Sequence, residues 1–259
     1  MNSTALLGCD SLSISVSDRC LIDNLNLQIE DGQRWAILGM NGAGKTTLLH
    51  TLAGLLPADA GNICLRGQPL LSLSRREVAL KLGLLFQDQH ELFPGTVMET
   101  ILTGRHPHLK AWQWESAKDQ NRARQLLRNV DLKGYETRQV TTLSGGERRR
   151  LGIATVLLQD PDLLLLDEPV NHLDLHHQQK ILQLLETTVR EKNKSLLMVM
   201  HDINLSARYC DHVLMIFADG KTRQGKMSEL LREDILSELY QHRIQCLNHA
   251  GRTFFISDA

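Results

Sequence analysis

Apolar and polar residues alternate through Leu12, Ile14 and Val16, and again through Leu25, Leu27 and Ile29. This period of two predicts half-buried strands over residues 11–16 and 25–29. Asp31-Gly32 marks a turn into a third strand at residues 34–38. A glycine-rich stretch follows, then a helix from Lys45 that stops near Gly54, with Pro57 just beyond it. Residues 63–66 and 83–87 predict further strands. From about residue 95 to 160 the pattern turns helical. Its clearest stretch is 122–130, where Ala123, Leu126, Leu127 and Val130 share one face. Four leucines at 163–166, bounded by Asp162 and Asp167, suit a parallel strand buried on both faces. A helix is predicted over Leu175–Lys192, with Ile181, Leu184, Leu185 and Val189 on one side, then a buried strand at 195–200 and a short helix at about 204–208. Residues 213–217 and the turn Ala218-Asp219-Gly220 open a small terminal strand pair. Strand, helix, strand order over most of the chain predicts an α/β fold around a parallel sheet.

Composition narrows the classes. With 259 residues, 42% of them hydrophobic and 23% charged, the chain is long enough for one large domain with a real core. Lys plus Arg total 29 against 30 for Asp plus Glu, so no basic excess favours nucleic acid as a partner. A membrane-spanning helix needs about 20 apolar residues in a row, and the longest run, 213–218, falls far short. Leu6-Leu7-Gly8 before Cys9 has a faint lipoprotein look, but no Lys or Arg precedes it, and it reads as the lead-in to the first strand. Five scattered cysteines without a CxxC pair predict buried thiols in a reducing compartment.

Chemistry concentrates at four places. Residues 39–46 read Gly39-Met40-Asn41-Gly42-Ala43-Gly44-Lys45-Thr46, followed by Thr47, and satisfy GxxxxGK[ST] between an apolar strand and a helix. Glycines let backbone N–H groups converge on phosphates, and the positive end of the helix adds field. Lys45 is expected to reach the β- and γ-phosphates, and Thr46 to ligate Mg²⁺. The leucine strand delivers Asp167 and Glu168 at its C-terminal edge, where α/β ligands bind. Asp167 would hold the Mg²⁺ shell, and Glu168 would orient or deprotonate the attacking water. Leu143-Ser144-Gly145-Gly146-Glu147 opens a helix and forms a second anion site. His201 ends the strand 195–200 at the same edge as Asp167 and Glu168.

The set of residues 39–47, Gln87, 143–147, 163–168, Asn171-His172-Leu173-Asp174 and His201 resembles the ABC transporter nucleotide-binding domain, over essentially the whole chain. The resemblance implies a P-loop NTPase with a RecA-like parallel core, an antiparallel β subdomain and a helical subdomain inserted at about 88–160, all within one domain over 1–259. It implies ATP and Mg²⁺ as cofactors and a head-to-tail dimer, in which the phosphate loop of one copy and the signature of the other sandwich each nucleotide. Gln87 would then touch Mg²⁺ and the γ-phosphate and sense a membrane permease. Ser144, Gly145 and Gly146 would act in trans, with Asp174 at the dimer seam and His201 on the γ-phosphate. Three positions depart from the family pattern: Val16 stands where an aromatic usually stacks on adenine, Met40 where proline is usual, and Glu147 where many members carry glutamine.

The segment Gly104-Arg105-His106-Pro107-His108, the tail with Leu239-Tyr240 and Gly251-Arg252, and the Asn171–Asp174 loop are similar to ATPases of iron–siderophore, haem or cobalamin importers. That similarity implies a place on the cytoplasmic face of the membrane, held by a permease. The competing class is a soluble ABC ATPase without a transport role. His176 and His177 are adjacent, so on a helix they diverge by about 100° and are read as surface residues, with His106, His108 and His172, rather than as a metal set. Arg148-Arg149-Arg150 is read as a solvated helix face and dimer contact.

Overall fold

The computed structural model describes residues 5–17, 19–87, 95–110, 112–249 and 251–258. In chain order the strands are β1 (Leu7–Val16), β2 (Arg19–Ile29), β3 (Arg34–Gly39), β4 (Ala60–Leu65), β5 (Gln68–Pro69), β6 (Leu82–Leu85), β7 (Leu163–Asp167), β8 (Ser195–Val199), β9 (His212–Ile216), β10 (Thr222–Lys226), β11 (Ile244–His249) and β12 (Arg252–Ser257). The helices are α1 (Lys45–Leu52), α2 (Arg75–Lys81), α3 (Val97–Leu102), α4 (Ala117–Asn129), α5 (Gly145–Gln159), α6 (Leu175–Lys192), α7 (Ile203–Tyr209), α8 (Met227–Leu230) and α9 (Glu233–Tyr240). Both parallel and antiparallel strand pairs are present, as expected of a parallel core with an antiparallel β subdomain. The chain divides into two compact units, one of residues 1–72 with 195–259 and one of residues 73–194.

The first unit holds an antiparallel sheet in the order β2-β1-β4-β5. Leu12, Ile14, Leu25, Leu27 and Ile29 are all buried there, as the alternation requires. Its parallel part runs through β3, which pairs with β8 on one side and β9 on the other. Buried on both faces, β3 can carry Trp35, Ala36, Ile37 and Leu38 in succession. At the chain's end α9 packs against the hairpin β11–β12, which the apolar pattern does not announce because Leu247, Phe254 and Ile256 face solvent. The side-chain amide of Asn204 on α7 clips the hairpin, donating to Phe255 O (3.0 Å) and accepting from Phe255 N–H (2.8 Å).

The second unit pairs β6 with β7 in parallel and packs α3, α4 and the 3₁₀ turn Thr103–His108 on α5. Ala123, Leu127 and Val130 are buried, as their spacing predicts, and α6 spans Leu175–Lys192 with Ile181, Leu182, Leu185 and Val189 inside. Four helices here begin with a reciprocal capping box: Ser74 with Glu77, Thr96 with Glu99, Ser116 with Asp119 and Ser144 with Glu147. Part of the segment 88–112, expected to belong to the inserted helical region, lies outside the described residues.

Two expectations are corrected. The arginine run is not a solvated face: Arg149 and Arg150 are 7% and 8% exposed, because their guanidinium groups bond backbone carbonyls inside the unit. Nor are all the thiols buried. Cys9, Cys64 and Cys210 are, whereas Cys20 is exposed and Cys246 partly so. Burial pushes the Cys9 thiol up to about 12, so it stays protonated and inert.

Candidate nucleotide site

In the first unit, β3 ends at Gly39 and the chain wraps into the phosphate loop before α1. Gly39, Gly42 and Gly44 take φ of +158°, +75° and +96°. A Cβ would approach the Ile216 carbonyl oxygen to 2.6 Å at Gly39 and the Leu21 Cβ to 2.9 Å at Gly44, so side chains at those two positions are excluded by backbone or core. Lys45 is 6% exposed and its Nζ donates to Gly39 O (2.8 Å) and Met40 O (3.0 Å), which folds the ammonium back over the loop. Gly44 caps α1 without a side-chain hydrogen bond, and no acidic residue occupies the first turn. The positive end of α1 is therefore not neutralised from within its own first turn. Thr46 and Thr47 are half-buried, Ala43 is buried, and Asn41 and Gly42 are exposed. A loop with these glycines, an ammonium and an uncapped helix N-terminus fits a polyphosphate.

His201 belongs to the same unit. Met200 N–H donates to Ile37 O (3.2 Å), extending the β3–β8 pairing to the strand ends. His201 follows, exposed, at the C-terminal edge that also launches the phosphate loop. Asp202 then caps α7 through Asn204 N (2.7 Å) and Leu205 N (3.0 Å).

In the second unit, β6 and β7 run in register from Leu82↔Leu163 to Leu85↔Leu166, so Gln87 and the acidic pair emerge from one strand edge. Asp167 is fully buried and Glu168 is 7% exposed. Gln87 Nε2 donates to Glu168 Oε2 (3.1 Å), and Asn171 Nδ2 donates to the same oxygen. Glu168 itself takes φ +50°, a left-handed state uncommon for a non-glycine residue. Its carboxylate is thus oriented by two side-chain amides and an unusual backbone. The sequence marks Asn171 only as part of the loop 171–174, and its hold on the Glu168 carboxylate shows only in the structure.

The signature segment caps α5. Ser144 Oγ accepts from Glu147 N–H (3.2 Å) and Glu147 Oε2 accepts from Ser144 N–H (2.7 Å). Glu147 also accepts from Tyr135 Oη (3.0 Å) and lies 3.7 Å from Arg138. The Ser144 N–H, ahead of the other contacts, holds the Glu147 carboxyl below its usual range. A Cβ on Gly145 would meet nothing within 4 Å, whereas one on Gly146 would lie 3.4 Å from the His172 carbonyl oxygen. Asp174 caps α6, accepting from His177 N–H (2.9 Å) and facing the His177 ring (2.8 Å). That backbone bond, with the ring second, lowers the Asp174 carboxyl. Elsewhere His108 bonds Gln159 O (2.7 Å) and His106 lies 3.8 Å from Glu115.

The family model for ABC transporters matches residues 22–171, more than half of the chain. The chain belongs to the ABC transporter family. It is an ABC ATPase, a nucleotide-binding domain. The iron(3+)-hydroxamate import ATP-binding protein FhuC of Bacillus subtilis (strain 168) is 34% identical, the match covering 93% of this chain and 88% of the relative. The hemin import ATP-binding protein HmuV of Escherichia coli O157:H7 is 36% identical over 91% of this chain and 92% of the relative. Among solved structures, an inward-facing ABC transporter provisionally described as of metal-chelate type superposes with TM-score 0.83 at 25% identity, covering 98% of both chains. The dimeric bacterial ABC transporter cassette MJ0796 superposes with TM-score 0.76 at 26% identity, covering 85% of this chain and 98% of that one. The ABC ATPase has no helix, among the described residues, long and apolar enough to cross a membrane.

Proposed function

We propose that this ABC ATPase hydrolyses ATP with Mg²⁺ in a head-to-tail dimer and couples the reaction to import of a metal chelate through a membrane permease. The chain then works on the cytoplasmic face of the membrane. The observation that carries the hydrolytic reading is the Glu168 carboxylate, nearly buried and oriented by Gln87 and Asn171 at the edge of β7. The chelate is inferred from the iron-hydroxamate and hemin import relatives.

Each residue has a role within this reading. The loop Gly39–Thr47 binds the phosphates, with Lys45 turning its ammonium from the loop carbonyls to the β/γ oxygens. Thr46, Gln87 and Asp167 offer only oxygen ligands, the donor set that suits a hard divalent cation. When bound, Mg²⁺ supplies charge neutralisation at the phosphates. Glu168 accepts the proton of the attacking water, and His201 donates to the terminal phosphate. Ser144, Gly145 and Gly146 close on the partner's nucleotide, with Glu147 holding their turn in shape and Asp174 at the seam.

Glu168→Gln keeps the shape and removes the base. We expect it to retain ATP binding and to lose roughly 10²–10⁴ in turnover. Steady-state phosphate release, measured beside binding of a labelled ATP analogue, tests this, and near-normal turnover sinks the assignment. Co-purification of an integral membrane protein, followed by chelate uptake into vesicles that stops with Glu168→Gln, tests the transport half.

A further inference from the structure

Arg149 sits in the second turn of α5, five residues beyond the capping Ser144. It points inward, 7% exposed, and its guanidinium gathers three backbone carbonyls. One terminal nitrogen donates to Phe86 O and to Gln87 O (3.2 Å), and the other donates to Asp167 O. These carbonyls flank the two groups of this unit that face the reaction in the reading above. The Phe86 and Gln87 carbonyls fix the backbone that presents the Gln87 amide, and the Asp167 carbonyl fixes the peptide leading into Glu168. Gln87 and Glu168 then meet at 3.1 Å.

The neighbouring arginines do nothing of this kind. Arg148 Nη1 donates to Leu143 O (2.7 Å) within its own helix entry, and Arg150 Nη1 donates to Val130 O (2.8 Å) and Asp131 O (3.2 Å) at the end of α4. Burying a guanidinium is costly, and two of the three arginines are buried. Only Arg149 ties α5 to the strand ends that carry Gln87 and Glu168. A lysine has no planar fork with which to hold three carbonyls at once.

We propose that Arg149 is a positioning residue that couples the two nucleotide sites of the dimer, transmitting closure of the signature end of α5 to Gln87 and Glu168 of the same chain. This rests on the head-to-tail reading, in which the signature end of α5 serves one nucleotide while Gln87 and Glu168 serve the other. A shift of α5 as the partner's nucleotide docks at Ser144 moves the Arg149 fork, and the fork moves both carbonyl groups together. Loss of the fork leaves each site able to bind ATP while blind to the state of its neighbour.

The test is steady-state ATP hydrolysis by the full chain across a range of ATP concentrations, comparing wild type with Arg149→Gln, Arg149→Lys and Arg150→Gln. Wild type should show a Hill coefficient clearly above 1, with two as the ceiling for two sites. Arg149→Gln should lower kcat on the order of 10- to 100-fold, as small misplacements of reacting groups do. Its half-saturating ATP should stay within about threefold, because the lost interaction acts after binding, and its Hill coefficient should fall to about 1. Arg149→Lys keeps the charge and loses the fork, so it should follow the same direction; it also serves if Arg149→Gln does not fold. Arg150→Gln removes an equally buried guanidinium that touches neither Gln87 nor Asp167. A purely structural loss of that sort lowers the active fraction and leaves the Hill coefficient alone. Cooperativity undiminished in both Arg149 variants, or lost equally in Arg150→Gln, overturns the proposal. A wild-type Hill coefficient of 1 also overturns it without touching the assignment of hydrolysis, whereas near-normal turnover in Glu168→Gln overturns that assignment itself.

Discussion

Two helices of this molecule carry glycines at their N-termini and look alike on paper, yet their first turns are built for opposite situations. At α1 the cap is Gly44, which makes no side-chain cap hydrogen bond, and the first turn carries no acid. At α5 the cap is Ser144, closed in a reciprocal box with Glu147, whose carboxylate sits on the helix's positive end. The first end suits an external anion in the proposed reading. The second is already neutralised by its own chain, and only the N–H groups of Gly145 and Gly146 remain outside the box. In the proposed head-to-tail dimer, the difference would let one chain hold its own nucleotide firmly and touch its neighbour's reversibly: an uncapped, lysine-bearing N-terminus would bind alone, while a capped one would add affinity only when a second surface delivers the phosphate to it.

The largest effect expected from this contrast is at α1. Lys45→Ala should reduce ATP affinity by on the order of 10²-fold or more, since a charge-assisted contact to the phosphates is lost. Equilibrium binding of a labelled analogue reads this directly, and unchanged affinity would place the phosphate site elsewhere. Next comes α5, which should matter only in trans. In a Glu168→Gln background, sedimentation should show a monomer without nucleotide and a dimer with ATP and Mg²⁺. Adding Ser144→Arg should abolish that dimer and leave binding at the phosphate loop largely intact. A double variant that still dimerises with ATP contradicts the two-site sandwich.

A smaller effect separates the cap from the site. Ser144→Ala should cost about 1 kcal/mol of stability, a melting shift of roughly 2–4 °C for a chain of this size. Its partner adds a pH dependence of definite sign. Glu147 is held below its ordinary carboxyl value, first by the Ser144 N–H, so its stabilisation is present above about pH 4.5 and is lost as pH falls through the folded value. The melting difference between wild type and Glu147→Gln should be constant near neutrality and shrink below that pH. A gap that widened in acid would mean the box is not what stabilises this end. The smallest effect lies at the end of β1. Val16 is 53% exposed where the family usually carries a ring, so the phosphates dominate binding and GTP should compete with ATP within an order of magnitude. Val16→Tyr should add about 0.5–1.5 kcal/mol to binding of both nucleotides through stacking. A strong ATP preference in wild type would show that another side chain already recognises the base.

How far the sequence discloses these features follows from what periodicity can register. Residues 163–166 could be read as a buried strand because both faces are apolar, and α6 could be placed by its regular apolar stripe, whereas the capping by Asp174 shows only in the structure. The glycine turn at residues 39–44 was legible because its geometry demands particular glycines. The arginine run was misread because a charged triplet looks solvated, and no pattern shows that the carbonyls of Phe86, Gln87 and Asp167 converge on Arg149. The hairpin β11–β12 was missed for the complementary reason: its apolar Leu247, Phe254 and Ile256 lie outward and blur the alternation. The signature cap hides in plain view, since three other helices of the same unit open with the same kind of box.

The left-handed backbone at Glu168 reaches beyond mechanism into how this chain can change over time. Glycine, and to a lesser degree asparagine, occupies φ +50° more cheaply than glutamate, by about 1 kcal/mol in the case of glycine. Drift at position 168 under selection for folding alone therefore runs downhill towards residues that cannot take a proton from water. A library of this gene screened only for heat resistance should lose the glutamate early and yield sturdier chains that still grip ATP and no longer spend it.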